Sequence, residues 1–385
     1  MSETSTQRHP LYGRLSGFYL FYFASLGALV PYWSVYLKSL DFSAQQIGIL
    51  VAIIMSTKIV SPLIWGWIAD HTGQRMKIVR LGSLLSVVAF IGVFIGSGYL
   101  WLALVMVMFS FFWNATLPQF EATTFNHLAE RNHHYSSIRL WGSIGFIITV
   151  GLLGVVLQEY GAQQLPRVLL LLFLAIWIMS LLVPEDAAGH QHVDGRPLKE
   201  VLQRPEVMAL IAVVFLMQAS HGPYYTFYTI YMEEHGYSRS LIGALWALGV
   251  IAEVGVFLVM NRLIPLLGLK ALLLFSLFAA SIRWILIGRF PEVITVIVFA
   301  QILHAASFGI YHASAIHLVH KYFTGPHQGR GQALYSSMSF GAGGASGALI
   351  SGMLWQVVGG QTVFTYAAVF SAVAFVLAFF YLRRE

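Results

Sequence analysis

The side chains of this chain that could do chemistry are few, and they lie where charge is expensive. Lys58, Glu121, Arg139, Glu253, Arg283 and His304 all fall inside long apolar runs. A charge near a bilayer centre costs about 2.5–3.5 kcal/mol on insertion scales, so such groups face a partner or a wet cavity. Lys58 precedes Asp70 by 12 residues. At about 1.5 Å per helical residue it sits roughly 18 Å from that end of its run, too deep to snorkel. It reads as a contact for a substrate anion, or as a structural pair with Glu121 or another carboxylate. Arg283 and Glu253 are comparably deep, counted from Lys270 and Asn261. Glu253 reads as a proton-carrying carboxyl whose charge an approaching Arg283 would stabilise; the alternative is a static Glu253–Arg283 bridge. His304 can titrate near neutral pH or donate a hydrogen bond in a cavity. On α-helical spacing His304, His312 and His317 do not share one face, so no metal site and no cofactor are expected. His133 and His134 read as solvated loop residues.

The elements that must hold these residues are membrane helices. Of the 385 residues, 58% are hydrophobic and only 10% are charged, against about 25% charged in an ordinary soluble domain. So few charges cannot solvate a surface of this size, which excludes a soluble enzyme and a disordered chain. The net charge of +6 is read as basic loop residues beside lipid, not as a nucleic-acid surface. There are no cysteines, which removes disulfides, thiol catalysis and thiolate metal sites. No cleavable signal pattern precedes the first apolar run.

A spanning helix needs roughly 20 mostly apolar residues. Twelve such runs are expected, at 15–37, 45–69, 77–97, 99–127, 136–158, 166–184, 206–232, 240–261, 270–289, 292–319, 331–356 and 361–382. The one marked shift in composition is the polar stretch 185–205. It divides the chain into six-span halves at 1–184 and 206–385, an internal repeat with a central site between the halves. With the N-terminus in the cytoplasm, the inner segments carry Arg8, Arg14, Arg75, Lys77, Arg80, Arg131, Arg196, Lys199, Arg204, Arg262, Lys270, Lys321, Arg330, Arg383 and Arg384. The outer loops carry only Lys38, Arg167, Arg239 and Arg289. That bias puts both termini inside.

Between the second and third runs the chain reads Gly66-Trp67-Ile68-Ala69-Asp70-His71-Thr72-Gly73-Gln74-Arg75. Gly66 would let another helix approach closely, and Gly73 permits a tight turn. Asp70 can face the positive end of a helix, with Arg75 as its counter-charge. Such a cluster can hold helix ends together in one state and release them in another; the alternative is an ordinary polar turn. With this motif the chain resembles the major facilitator superfamily, and the segment from Asn261-Arg262 to Gly268 and Lys270 looks like a degraded second copy. FYLFYFASLGALVPYWSVYL, Pro118-Gln119-Phe120-Glu121, Arg139-Leu140-Trp141-Gly142, Gly145-Phe146, Ser281-Ile282-Arg283 and Leu303-His304 resemble the lactose permease group. RLWGSIGFI, QASHGPYYTFY and LWALGVIAEV look closer still to its 3-phenylpropionate permease branch.

The resemblance implies an all-α fold of twelve transmembrane helices in two pseudo-symmetric six-helix bundles. It implies that spans 1, 4, 7 and 10 line the cavity, and that Glu121 and Arg139 contact substrate. The other reading of that pair is a salt bridge closing a helix end. Phe146 stands where that group has a sugar-stacking Trp, so the ring is kept and the indole N–H is lost. Arg283 and His304 match the group's proton-handling residues. The carboxylate one turn after the His is replaced by Ser307, the span-7 acids and span-11 Lys are missing, and Glu253 is about a turn from the group's acid. Tyr22, Tyr224, Tyr225 and Trp246 are candidate cavity walls. Aromatic walls with a few cations suit a planar carboxylate, and they also suit a sugar; plain helix packing is the alternative. No Walker loop, His-Glu-x-x-His or nucleophile-elbow motif occurs. The expectation is therefore a monomeric proton symporter of the bacterial inner membrane that moves an aromatic or other small carboxylate. A sugar symporter is second, and a transport-inactive sensor stands as the reading of a different class.

Overall fold

The structure is a computed structural model, and it describes residues 11–128, 134–185 and 198–382. Arg8, Arg131, Arg196, Arg383 and Arg384, His133, and residues 186–197 of the expected linker lie outside the described residues. Within them the chain is helical throughout, with no strand. In hydrocarbon every backbone N–H and C=O must be paired inside its own segment, which a helix alone achieves for a single crossing.

The first half comprises α1 (Tyr12–Lys38), α2 (Ala44–Thr72), α3 (Arg75–Phe90), α4 (Tyr99–Leu128), α5 (Tyr135–Tyr160) and α6 (Leu165–Leu182). Local chemistry sets the ends. Ser43 and Gln46 form a reciprocal capping box at the start of α2 (3.2 and 3.0 Å). Gly73 ends α2 at φ 67, the left-handed region open to glycine, with its N–H on the Ala69 carbonyl. The Glu185 carboxylate accepts the Met76 and Lys77 N–H groups at the start of α3 (2.9 and 3.1 Å), where the helix dipole favours an anion.

The second half is less regular. A short α7 (Leu198–Leu202) precedes a seventh crossing broken at His221 into α8 (Pro205–Ser220) and α9 (Gly222–Glu234). Next come α10 (Arg239–Leu267) and α11 (Leu269–Arg289), joined at Gly268 with φ 76, a positive-φ glycine like Gly73 in the matching joint of the first half. The tenth crossing runs through α12 (Ile294–Ile302), a π-helical turn Ala305–Ile310 and α13 (Tyr311–Tyr322). Then α14 (Gln328–Ser336) enters a second π turn, Ser337–Gly343, and continues into α15 (Gly344–Tyr381). The stretch Gln328–Tyr381 is 54 residues long, about 81 Å if straight, against roughly 30 Å of hydrocarbon. Gly359 breaks it with non-helical backbone (φ 79, ψ 156), which makes it two crossings and gives twelve in all.

The two bundles meet along α2 against α15 and its preceding π turn, α5 against α10, and α1 against α9. Both described chain ends lie at one membrane face, here the terminal face. The polar ties between the halves all lie toward the opposite face. Lys38 pairs with Glu234 (2.7 Å). The Arg239 backbone N–H donates to Gln158 (2.8 Å), and its guanidinium to the Leu157 carbonyl (2.9 Å). Glycine lets the helices touch there. A Cβ on Gly352 would stand 2.8 Å from the Ala44 carbonyl oxygen, and one on Gly243 2.6 Å from that of Val150. Among the described residues no hydrogen bond or ion pair joins the halves at the terminal face.

Candidate functional site

On α2 the exposed residues Val60, Leu63, Ile64 and Trp67 mark the lipid side. At 3.6 residues per turn Lys58 lies about 180° around the helix from them, on the interior side. Its ammonium has no hydrogen-bond or carboxylate partner among the described residues. A pair with Glu121 or another acid is therefore not formed. Neighbouring polar groups on α2 are spent on α4 instead: Thr57 donates to Ser110 (2.8 Å), and Asn114 donates to Thr57 (2.9 Å).

Glu121 on α4 and Arg139 on α5 also do not form an ion pair within 4 Å. The Glu121 carboxylate accepts a long hydrogen bond from the Tyr135 hydroxyl (3.5 Å). The Arg139 guanidinium lies 3.8 Å from the Phe23 ring centroid and 5.8 Å from that of Tyr19. A cation held on ring faces keeps its N–H fork free for an anion. Tyr22 stacks on Trp113 (5.0 Å). Phe146 packs its backbone against Gly27, where a Cβ would stand 2.7 Å from the Phe146 carbonyl oxygen.

In the second half Arg283 is fully buried, and its donors are almost all used. Nε donates to the Ala300 carbonyl (3.0 Å), Nη1 to His304 Nδ1 (3.0 Å) and Ser307 Oγ (3.2 Å), and Nη2 to Gln301 Oε1 (3.4 Å). Ala300 sits in the last turn of α12, where carbonyls lack helical partners. The Tyr224 and Trp284 rings flank the guanidinium at 4.1 and 4.7 Å. Tyr224 also donates to Gln301 (2.8 Å), and its ring lies 4.4 Å from Trp246, which stacks on Tyr225 at 6.4 Å. Trp246 Nε1 is anchored on Thr229 (3.1 Å).

Glu253 and Arg283 do not touch. They are joined through His304, whose Nε2 lies 3.2 Å from the Glu253 carboxylate. Because Arg283 can only donate, His304 Nδ1 must accept. The ring proton is therefore on Nε2 and is given to Glu253. This is a neutral imidazole held between a cation and a carboxyl. Arg139 faces the same region from the first half, within electrostatic reach of Glu121, Glu253 and His312.

The π turn Ala305–Ile310 winds more residues per turn than an α-helix. His304, Phe308 and His312, spaced four residues apart as on one helical ridge, stay in one stack through it, with ring centroids 5.4 and 5.8 Å apart. His317 lies off this row, exposed and bonded to the Ala313 carbonyl, so the three histidines do not share one face. No group of side chains that could hold a metal occurs among the described residues. One expectation, at Gly66, changes in detail. Gly66 meets no helix backbone: a Cβ there would be 3.6 Å from the side-chain amide of Gln119 on α4, an ordinary contact, and no helix of the second half lies against it. Asp70 and Arg75 form an exposed ion pair (3.0 Å).

Sequence reasoning missed Gln301, Phe23, Phe308 and Tyr335 as neighbours of the charges. A glutamine three residues before a buried histidine in an apolar run was the available signal. The rings gave none, because 15% of the chain is aromatic.

A family profile described as the MFS_1 like family matches residues 12–366. A relative from Escherichia coli (strain K12), described as a probable 3-phenylpropionic acid transporter, is 29% identical over 349 residues, covering 89% of this chain and 90% of that protein. A maltose permease of Geobacillus stearothermophilus is 23% identical over 381 residues, covering 96% and 94%. The crystal structure of the nucleoside transporter NupG superposes with a TM-score of 0.83 at 17% identity, covering 97% of this chain and all of that one.

Proposed function

The chain belongs to the MFS_1-like family of secondary transporters, and we propose that it is a proton-coupled symporter of an aromatic or other small carboxylate such as phenylpropionate. The observation that carries this reading is the pair of cations, Lys58 and Arg139, neither of which meets a carboxylate among the described residues, with Arg139 lying on ring faces; Tyr22, Phe146, Tyr224, Tyr225 and Trp246 are the aromatic side chains this reading places around the substrate. A carboxylate docked there takes the guanidinium fork and the ammonium, while its apolar body lies on rings. The E. coli relative described for 3-phenylpropionic acid supports this choice. The sugar reading is second; it rests on the Glu121 carboxylate, which has only one long hydrogen bond and could accept sugar hydroxyls.

In this reading the terminal face is cytoplasmic and the membrane is the bacterial inner membrane, as the basic bias of the loops supports. The described state is then open to the cytoplasm, and the monomer alternates by rocking 1–184 against 206–385 around the site. Asp70 and Arg75, with Gly66 and Gly73, belong to the inner closure. Glu253 carries the proton, His304 orients its carboxyl, and Arg283 fixes the tautomer of His304.

The test is uptake of labelled phenylpropionate and of galactosides into vesicles, with and without a pH gradient. Saturable phenylpropionate flux that the gradient drives is expected; galactoside flux without carboxylate flux would overturn the substrate. In Glu253→Gln, gradient-driven accumulation is expected to disappear while counterflow persists. Undiminished accumulation would remove Glu253 from the mechanism.

A further inference from the structure

A proton leaving Glu253 needs an acceptor, and the π turn of the tenth crossing, on which Glu253 leans, has a histidine at each end. His304 stands at the start of the turn and His312 just beyond it, their rings stacked through Phe308 with interplanar angles of 7° and 2°. Glu253 leans on the turn between them at Gly309, where an added Cβ would stand 3.3 Å from Glu253 Cγ. His312 is within electrostatic reach of it.

The histidines differ in what their Nδ1 partners permit. His304 Nδ1 faces Arg283, which has no lone pair to offer. A second proton on His304 would set an N–H against a guanidinium N–H and place two cations side by side. His304 is therefore held neutral, as a donor to Glu253. His312 Nδ1 lies 2.9 Å from the Tyr335 hydroxyl, which both donates and accepts. Either neutral tautomer of His312, and its imidazolium, keeps that hydrogen bond. Its Nε2 has no protein partner among the described residues, and the residue is only partly buried. The charged and titratable groups that face His312 are Glu253 from α10, Arg139 from α5 and Tyr335 from α14. Phe308 and Phe340 complete its surroundings.

From this asymmetry we infer that His312 takes the proton released by Glu253 and hands it on toward the terminal face, while His304 only positions the carboxyl. The Glu253 O–H bond breaks as an N–H bond forms at His312 Nε2, the proton passing through intervening water because the carboxylate itself sits at His304. The Nδ1–H rests on the Tyr335 oxygen meanwhile. Loss of the Nε2 proton to water restores neutral His312, and Glu253 is left as a carboxylate accepting from His304. The inference rests on the reading of Glu253 as the proton carrier.

The experiment compares His312→Gln, Tyr335→Phe and Glu253→Gln in proteoliposomes, reading gradient-driven phenylpropionate accumulation and gradient-free counterflow. In His312→Gln, accumulation is expected to fall about tenfold or more, as for loss of an acid–base group, with counterflow within about twofold of the unaltered protein. Tyr335→Phe removes the oxygen that accepts Nδ1–H and is expected to lower accumulation less, again sparing counterflow. Unchanged accumulation in His312→Gln overturns the inference. So does an equal loss of accumulation and counterflow, which marks a structural role. If Glu253→Gln itself still accumulates substrate, the carrier reading falls; if only His312→Gln does, the carrier reading survives and this inference alone falls.

Discussion

Two histidines on one face of one crossing do different work because their partners differ in hydrogen-bonding valence. Arg283 only donates, so His304 has one tautomer; the Tyr335 hydroxyl does both, so His312 keeps every protonation state open. The same accounting applies to the cations. Arg283 spends its donors on four acceptors, with neutral His304 between it and Glu253, whereas Lys58 is unpartnered. Replacing Lys58 with Gln is thus expected to raise the KM for phenylpropionate about tenfold, the worth of one charge-assisted hydrogen bond, with counterflow at saturating substrate little changed. An unchanged KM would take Lys58 out of the site. Replacing Arg283 with Ala leaves the Ala300 carbonyl and His304 Nδ1 without their donor inside the bundle. A destabilisation of about 1–3 kcal/mol, read as a lower melting temperature in detergent, is expected alongside lost accumulation.

The elements that depart from regular helix are concentrated in the second half. The break at His221 and the π turns Ala305–Ile310 and Ser337–Gly343 all occur where rings and polar groups crowd inward. Phe308 and His312 of the tenth crossing meet Phe340 of the second π turn at 6.3 and 5.9 Å, so the two irregular segments pack on each other. The helices that join the halves, by contrast, depend on the absence of side chains. At Gly48 an added Cβ would stand 2.7 Å from the Ala348 carbonyl oxygen and from Gly352 Cα, with backbone on both counts and nothing flexible to yield. Gly48→Trp is therefore expected to block closure at the opposite face and stop transport while leaving the protein folded. Cysteines placed near that face should become labelled by membrane-impermeant maleimide. Normal transport by Gly48→Trp would refute the close crossing of α2 and α15.

At the scale of the molecule, the charges tie one end and leave the other untied. Lys38–Glu234 joins α1 to α9, but both side chains are 45% exposed, and an exposed pair is worth about 0–1 kcal/mol. Charge reversal of Lys38 to Glu should shift the balance of open and closed states at that face by about fivefold at most. The double reversal, Lys38→Glu with Glu234→Lys, should restore it. Distance distributions between spin labels across the face measure the shift. A single reversal with no effect would leave the glycine crossings and the Arg239 bonds as the whole of the closure.

Hydropathy alone located the twelve crossings, because a bilayer demands a run of apolar residues long enough to span it and the chain offers that demand no exceptions. It also located the buried charges and their depth, since rise per residue in a helix is constant. Lys58, Arg139, Glu253, Arg283 and His304 were therefore legible before any coordinates. What the charges touch was not. The spacing of His304, Phe308 and His312 by fours already places them on one helical row, but that His304, of the two histidines, meets the Glu253 carboxylate had no trace in the spacing. The indirect link from Glu253 to Arg283, the ring cradle of Arg139 and the unpaired state of Lys58 were likewise decided by packing between segments far apart in the chain. There, a fraction of a helical turn determines which donor meets which acceptor.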